Sequence, residues 1–207
     1  MKFKLVIGDK IYSTWSLRPW LLLKYFNIPF TEVKIKLRDK NTKKNILKFS
    51  PSGKVPCLIY GKIKIWDSLS ICEFLAEKFK NKNLWPKNNI NRIMARNISS
   101  EMHSGFTNLR KNLSMNFLEK NLKFKNNKET SAEITRAKEI VENCLKKSKG
   151  PFIFKKFSIA DAMYVPVMFR FKIYNVKLSF ILEKYLNTLL NMKEIKNWLL
   201  EARKELK

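Results

Sequence analysis

At 207 residues, 45% hydrophobic and 13% aromatic, the chain carries enough apolar surface for one large core or two modest ones, which excludes a disordered protein. Its formal net charge of +26 comes from 35 Lys and 8 Arg against 17 acidic residues, dispersed along the whole sequence together with 20 Asn. Dispersion without a nucleic-acid-binding motif reads as a global surface bias, so nucleic acid is not expected as a partner, whereas attraction of small anions is. The longest apolar runs, at 20–23 and 163–169, fall short of the ~20 residues that span a bilayer, and the apolar stretch 5–7 after the basic start 1–4 is shorter than the ~7 to 15 residues a signal peptide needs. Cys57, Cys72 and Cys144 follow no disulfide or zinc spacing, which predicts a reducing cytoplasm and no metal site.

Residues 4–7 read as a short buried strand, and 16–26 carries Leu17, Trp20, Leu21, Leu23 and Tyr25 at helical spacing. The segment 30–37 alternates as a second strand, and 42–49 is a short polar helix closed by Ser50-Pro51-Ser52-Gly53. Two apolar strands, 55–60 and 62–66, joined at Tyr60-Gly61, predict an antiparallel hairpin. Asp67-Ser68 then starts a helix through 79 with Leu69, Ile71, Cys72, Phe74 and Leu75 on its apolar face. This order, β-α-β-α-β-β-α over 1–80, is a thioredoxin-like α/β domain. Residues 81–91, around Trp85-Pro86, lose the periodicity and read as a linker. From 92 to 207 the period is helical throughout, with helices expected at 93–122, 131–147, 158–174, 179–191 and 192–204. Ser158-x-x-Asp161 is a capping box at the start of one of them.

Four colinear motifs carry a resemblance: Tyr12-Ser13-Thr14-Trp15-Ser16-Leu17-Arg18-Pro19, Ser50-Pro51-Ser52-Gly53-Lys54-Val55-Pro56, Trp66-Asp67-Ser68, and Phe157-Ser158-Ile159-Ala160-Asp161. Together they resemble the glutathione transferase family, nearest to bacterial members with a Tyr-Ser-x-Trp-Ser loop, which are similar to the zeta class of maleylacetoacetate isomerases. Asn112-Leu113-Ser114 resembles an element of that class's first long helix. The resemblance implies the glutathione transferase fold: an α/β N-terminal thioredoxin-like domain that binds glutathione, plus an all-α C-terminal helical domain that binds the second substrate. It further implies a homodimer and a reaction of glutathione with a small-molecule electrophile, or its catalytic use in isomerising a cis double bond in an unsaturated carboxylic acid. A non-catalytic member of the same fold, acting as a binding or regulatory protein, is the rival reading.

Glutathione reacts as a thiolate, and lowering a thiol from ~8.5 by about two units takes ~2.7 kcal/mol. A hydroxyl hydrogen bond to an anion supplies ~1.5–3 kcal/mol and a helix N-terminus ~0.3–1 kcal/mol, so one hydroxyl in the 12–16 loop suffices. Ser13 is the first candidate and Thr14 and Tyr12 its alternates, because Ser16 is better placed as the helix N-cap. Val55-Pro56 resembles the cis-proline element of thioredoxin-like folds, which implies that the Val55 backbone pairs with the cysteinyl part of glutathione. Asp67 and Ser68 would take the γ-glutamyl end and Lys54 the glycine carboxylate. On the helical side His103, the one histidine, together with Arg110, Asn112, Arg18 and Ser16, are candidates for the second substrate, although a lone helical histidine is more often structural. Cys57, in an apolar strand, is expected to be a buried hydrophobe.

Overall fold

The computed structural model describes residues 2–206; Met1 of the basic start and Lys207 of the helical half lie outside the described residues. Strand β1 (Phe3–Gly8) splits its side chains between two cores, as the two-residue period of a strand requires. Phe3, Leu5 and Ile7 enter the main core, while Val6 meets Ile35, Ile46 and Cys57 on the opposite face. The sheet runs in the order β2-β1-β3-β4, with β2 (Phe30–Ile35) parallel to β1, β3 (Cys57–Tyr60) antiparallel to β1, and β4 (Ile63–Trp66) antiparallel to β3. The expected hairpin turns at Gly61, whose φ of 61° is open to glycine at no steric cost. Helices α1 (Thr14–Tyr25) and α3 (Ser68–Lys78) pack on the main-core face through Leu17, Leu21, Ile71 and Leu75, and α2 (Thr42–Leu47) covers the other face through Ile46.

The helix expected over 93–122 is instead α4 (Asn89–Ser104), α5 (Thr107–Asn112) and an irregular stretch. At the first break a Cβ on Gly105 would come within 2.7 Å of the Glu101 carbonyl oxygen, and Phe106 takes a left-handed φ of 54° to bury its ring. After Asn112 the buried residues Leu113, Met115 and Phe117 recur every two positions, an extended rather than helical period. Phe117 N–H donates to the Ile11 carbonyl at 3.0 Å and ties this stretch back to the loop after β1. Helices α6 (Lys128–Ser148), α7 (Ile159–Ile173), α8 (Phe180–Asn191) and α9 (Lys193–Lys204) complete the chain close to the expected bounds. A short 3₁₀ turn (Lys80–Lys82) leads into the 81–91 segment, which buries Leu84 and Trp85, and α4 already begins at Asn89.

Helix α7 is buried on nearly every side, at every residue but Lys172, because it is the axis of the molecule, packed against both α1 and α4. One core cluster therefore runs from Phe3 to Trp198. The capping box forms: Asp161 accepts Ser158 N–H at 2.9 Å, and its other oxygen accepts Ile153 N–H at 2.9 Å and the Tyr185 hydroxyl at 3.0 Å. Burial raises the Asp161 carboxyl to about 6 against those bonds. Helix α9 is fastened to the first half by contacts that have no short-range sequence signal. Trp198 Nε1 donates to the Lys10 carbonyl at 3.0 Å, Glu205 accepts Ile11 N–H at 3.2 Å, and the buried Lys10 ammonium pairs with Glu32 at 2.7 Å and with Glu201. Among the described residues no helix is long and apolar enough to cross a membrane.

Candidate functional site

A cleft of ≈ 480 Å³ opens between the sheet-side loops and helices α4 and α5. Two larger grooves elsewhere, of ≈ 530 and ≈ 610 Å³, are lined by aromatics and lysines with no carboxylate or histidine among them, so chemistry rather than size selects the cleft.

Its sheet-side wall is the turn 52–56 and the start of α3. Ser52 Oγ accepts Lys54 N–H at 3.2 Å and lies 2.9 Å from Ser50 Oγ, which shapes the turn so that Lys54, Val55 and Pro56 border the opening. The Val55–Pro56 bond is cis. Asp67 caps α3, one oxygen accepting Leu69 N–H at 2.9 Å and Ser70 N–H at 3.2 Å. It does so at a φ of 78° and a ψ of 130°, outside the left-handed helical region, a conformation that costs a non-glycine residue ~1–3 kcal/mol. Next to it Ser68 is 2% exposed, and its buried Oγ has no hydrogen-bond partner. An unpartnered buried hydroxyl beside a carboxylate at a helix N-terminus suits a ligand that presents both a carboxylate and an ammonium.

The helical wall supplies His103 from α4 and Arg110 from α5. His103 Nε2 donates to the second Asp67 oxygen at 3.0 Å, while its Nδ1 is buried without a partner. Arg110 donates to the His103 carbonyl at 3.1 Å, and burial lowers its pKa. Between them stands Trp15, with the His103 ring 5.3 Å from it edge-on, the Arg110 guanidinium at 5.2 Å and the Arg18 guanidinium at 4.1 Å.

The cleft thus gathers Lys54, Val55, Pro56, Asp67, Ser68, His103 and Arg110 from the sequence candidates, and adds Trp15, Trp66 and Ser52. The rest lie elsewhere. Helix α1 starts two residues earlier than expected, so Ser13 rather than Ser16 occupies the N-cap position, and Ser16 Oγ is fully buried, accepting Gly8 N–H at 3.1 Å and the Ser13 hydroxyl at 2.7 Å. Arg18, proposed for the second substrate, has no exposed surface. Asn112 is turned toward α6, where its amide donates to Thr130 Oγ1 at 2.6 Å. Ser13 and Thr14 are each 6% exposed, and the Tyr12 ring packs under the Arg38 guanidinium at 3.9 Å. Trp15 stands inside the first motif, and only the three-dimensional stack gives it a role distinct from packing. Cys57 and Cys72 are buried and burial raises both thiols, which makes neither a nucleophile.

Residues 12–78 match the family described as Glutathione S-transferase, N-terminal domain. A probable maleylacetoacetate isomerase of Caenorhabditis elegans is 29% identical over 174 residues, covering 80% of this chain and 77% of that protein. Glutathione S-transferase 1 of Dianthus caryophyllus is 30% identical over 108 residues, 52% of this chain, and the match spans about half of the carnation protein, 48%. Among solved structures, a glutathione transferase homolog from Burkholderia GL BGR1 with bound glutathione superposes with a TM-score of 0.77 at 15% identity, over 99% of this chain and 100% of that one. A homolog from Drosophila mojavensis, also with bound glutathione, gives 0.69 at 21% identity, covering 98% and 97%. The fold is that of the glutathione transferases: a thioredoxin-like sheet with its helices, followed by an all-helical region.

Proposed function

We propose that this chain, with the N-terminal region of the glutathione S-transferase family and the glutathione transferase fold throughout, is a glutathione-dependent transferase acting on a small electrophile. The observation that carries the reading is the pairing of a cleft-facing Asp67 carboxylate with the buried, unpartnered Ser68 hydroxyl at the start of α3. In this reading Asp67 faces the γ-glutamyl ammonium, and Ser68 with the α3 amides binds the γ-glutamyl carboxylate. Val55 offers its backbone to the cysteinyl part as an added strand, and Lys54, exposed at the rim, balances the glycine carboxylate. Glutathione would supply the nucleophilic sulfur. Ser13 holds that sulfur at the start of α1 by turning its proton away from Ser16, with Thr14 and Tyr12 as its alternates. Arg110 and His103 face the second substrate from the helical wall, so residues 1–80 bind glutathione, 92–207 bind its reaction partner, and 81–91 join them.

Within this class the maleylacetoacetate isomerase reading is favoured by the 29% identity to the nematode protein over most of both chains and by Arg110, a guanidinium at the cleft suited to a carboxylated substrate. A homodimer is supported by α4, whose Ile90, Ile93 and Met94 are exposed by 76%, 53% and 41% on one helical face. The three unpaired cysteines fit a cytoplasmic setting. The test is calorimetric titration with reduced glutathione on the wild type and on Ser68→Ala. Binding that weakens ~5- to 10-fold in the variant supports the site, and no binding to the wild type at millimolar glutathione leaves a binding or regulatory protein of transferase shape.

A further inference from the structure

Two guanidinium groups are buried beside the cleft without a carboxylate. Arg18 on α1 has no exposed surface: one nitrogen donates to the Thr14 carbonyl at 2.9 Å, another contacts the Met102 sulfur at 3.2 Å, and Nε has no partner. Arg170 on α7, 4% exposed, donates only to the carbonyls of Leu113 at 2.9 Å and Pro166 at 3.1 Å. Among the described residues neither forms an ion pair. Arg110 from α5 is the third member, its guanidinium on the Trp15 ring that Arg18 also stacks on. The three repel one another: burial and then Arg170 and Arg110 hold Arg18 well below its ordinary pKa, and burial and then Arg110 lower Arg170 to about 10. The groups of opposite effect on Arg18 are Cys72, whose thiol is itself pushed up by burial, and Asp67, whose two oxygens are taken by the α3 amides and His103.

A buried cation without a counter-ion is costly, and replacing it by an apolar side chain of similar volume is often neutral or stabilising. The cluster therefore works against the stability of the ligand-free protein. It also sits where positive potential has a use. The hydroxyl first in line to stabilise a thiolate, Ser13, has its proton directed to Ser16, and Tyr12 is covered by Arg38. Arg18 is fixed to the carbonyl of Thr14, the first residue of α1, and so places a full charge behind the positive end of that helix.

We infer that Arg18, with Arg170 behind it, is a positioning residue of electrostatic kind: without touching glutathione, the buried guanidinium pair holds the bound sulfur in its ionised form. The inference rests on the glutathione reading above and adds the source of the thiolate's stability. A unit charge ~8–10 Å away at an effective dielectric of about 20 moves a pKa by on the order of one unit. At a pH equal to the wild-type thiol value, one unit lowers the thiolate fraction about fivefold.

The experiment follows the ultraviolet absorbance of enzyme-bound glutathione thiolate against pH, with thermal melts of the ligand-free proteins, in the wild type, Arg18→Met, Arg18→Lys and Arg170→Gln. Arg18→Met is expected to melt at or above the wild-type temperature, to bind glutathione, and to raise the bound thiol by on the order of one unit, with kcat at neutral pH falling about fivefold and KM nearly unchanged. Arg18→Lys, whose ammonium gives up its charge on burial more readily than a guanidinium, shifts the thiol part of the way toward the Arg18→Met value, and Arg170→Gln shifts the thiol the same way by less. If Arg18→Met does not fold, Arg170→Gln carries the test alone. A wild-type thiol lowered on binding but identical in Arg18→Met and Arg170→Gln overturns the inference and leaves the glutathione reading standing. Absence of glutathione binding by the wild type removes both.

Discussion

Asp67→Asn separates the two duties placed on Asp67, because asparagine keeps the acceptor for Leu69 and Ser70 N–H and loses the charge together with the oxygen that faces His103 Nε2. The α3 start should survive, with a melting temperature close to wild type. What is lost is the charge opposite the γ-glutamyl ammonium. A hydrogen bond to a charged group contributes ~1.5–3 kcal/mol, and the side chain is 40% exposed, so solvent screening places the effect at the lower end. About 1.5 kcal/mol corresponds to a Kd for glutathione raised ~10-fold. Calorimetric titration reads this directly, and a glutathione analogue without the α-amino group supplies the control, since wild type and Asp67→Asn should bind it alike. Asp67→Ala removes the cap as well, and should lose a further ~1 kcal/mol of folding stability. Equal glutathione affinities of Asp67→Asn and wild type would refute the placement of the ammonium at Asp67, whatever Asp67→Ala does.

In the sulfur-binding loop, Ser13→Ala should raise the bound thiol more than Thr14→Ala or Tyr12→Phe, read from rate against pH; the reverse order would reassign the hydroxyl. Lys10→Met leaves Glu32 and Glu201 facing each other between two tryptophans and should destabilise the fold by about 3 kcal/mol in urea titrations, less than a fully buried triad would because Glu201 is 47% exposed. Asp161, whose carboxyl is raised to about 6 in the folded chain against ~3.9 unfolded, binds its proton more tightly when folded. It therefore contributes stability below pH ~4 that is lost as pH rises to ~6, on the order of 2–3 kcal/mol, and Asp161→Asn should flatten that slope in melts taken across the window. If α4 is the dimer face, Ile90→Asp with Ile93→Asp should halve the mass seen by analytical ultracentrifugation without unfolding the chain.

The sheet and its helices were legible because their signals are local. A two-residue period marks β1, Asp67-Ser68 marks the start of α3, and Ser158-x-x-Asp161 marks the start of α7. The long helix over 93–122 was misread because apolar residues spaced every two positions, at Leu113, Met115 and Phe117, sit among enough helix-forming neighbours to imitate a helical run. The sheet-side wall of the cleft was legible as motifs, since caps and turns bring their residue types with them. The helical wall was legible only as a list of polar residues. Whether His103, Arg110, Asn112 or Arg18 faces the cleft depends on the rotation of three helices about their axes, which packing decides. The bond from Trp198 to Lys10 joins residues 188 positions apart and leaves no trace that a local window can see.

The same contrast bears on the charge. With 35 lysines dispersed along the sequence, net charge alone says little about where anions bind, and Lys10 is the only one of them buried among the described residues. The eight arginines are used differently: Arg38 stacks on Tyr12, Arg136 forks onto Glu101, and Arg18, Arg110 and Arg170 converge behind the cleft. A planar, weakly hydrated guanidinium can be buried against carbonyls and an aromatic face, where an ammonium would lose its charge or its hydration. In a chain this rich in lysine, an arginine is therefore the more informative cation. Three of them gathered at one wall, none in an ion pair among the described residues, distinguish a potential that the fold has organised from one that composition alone supplies.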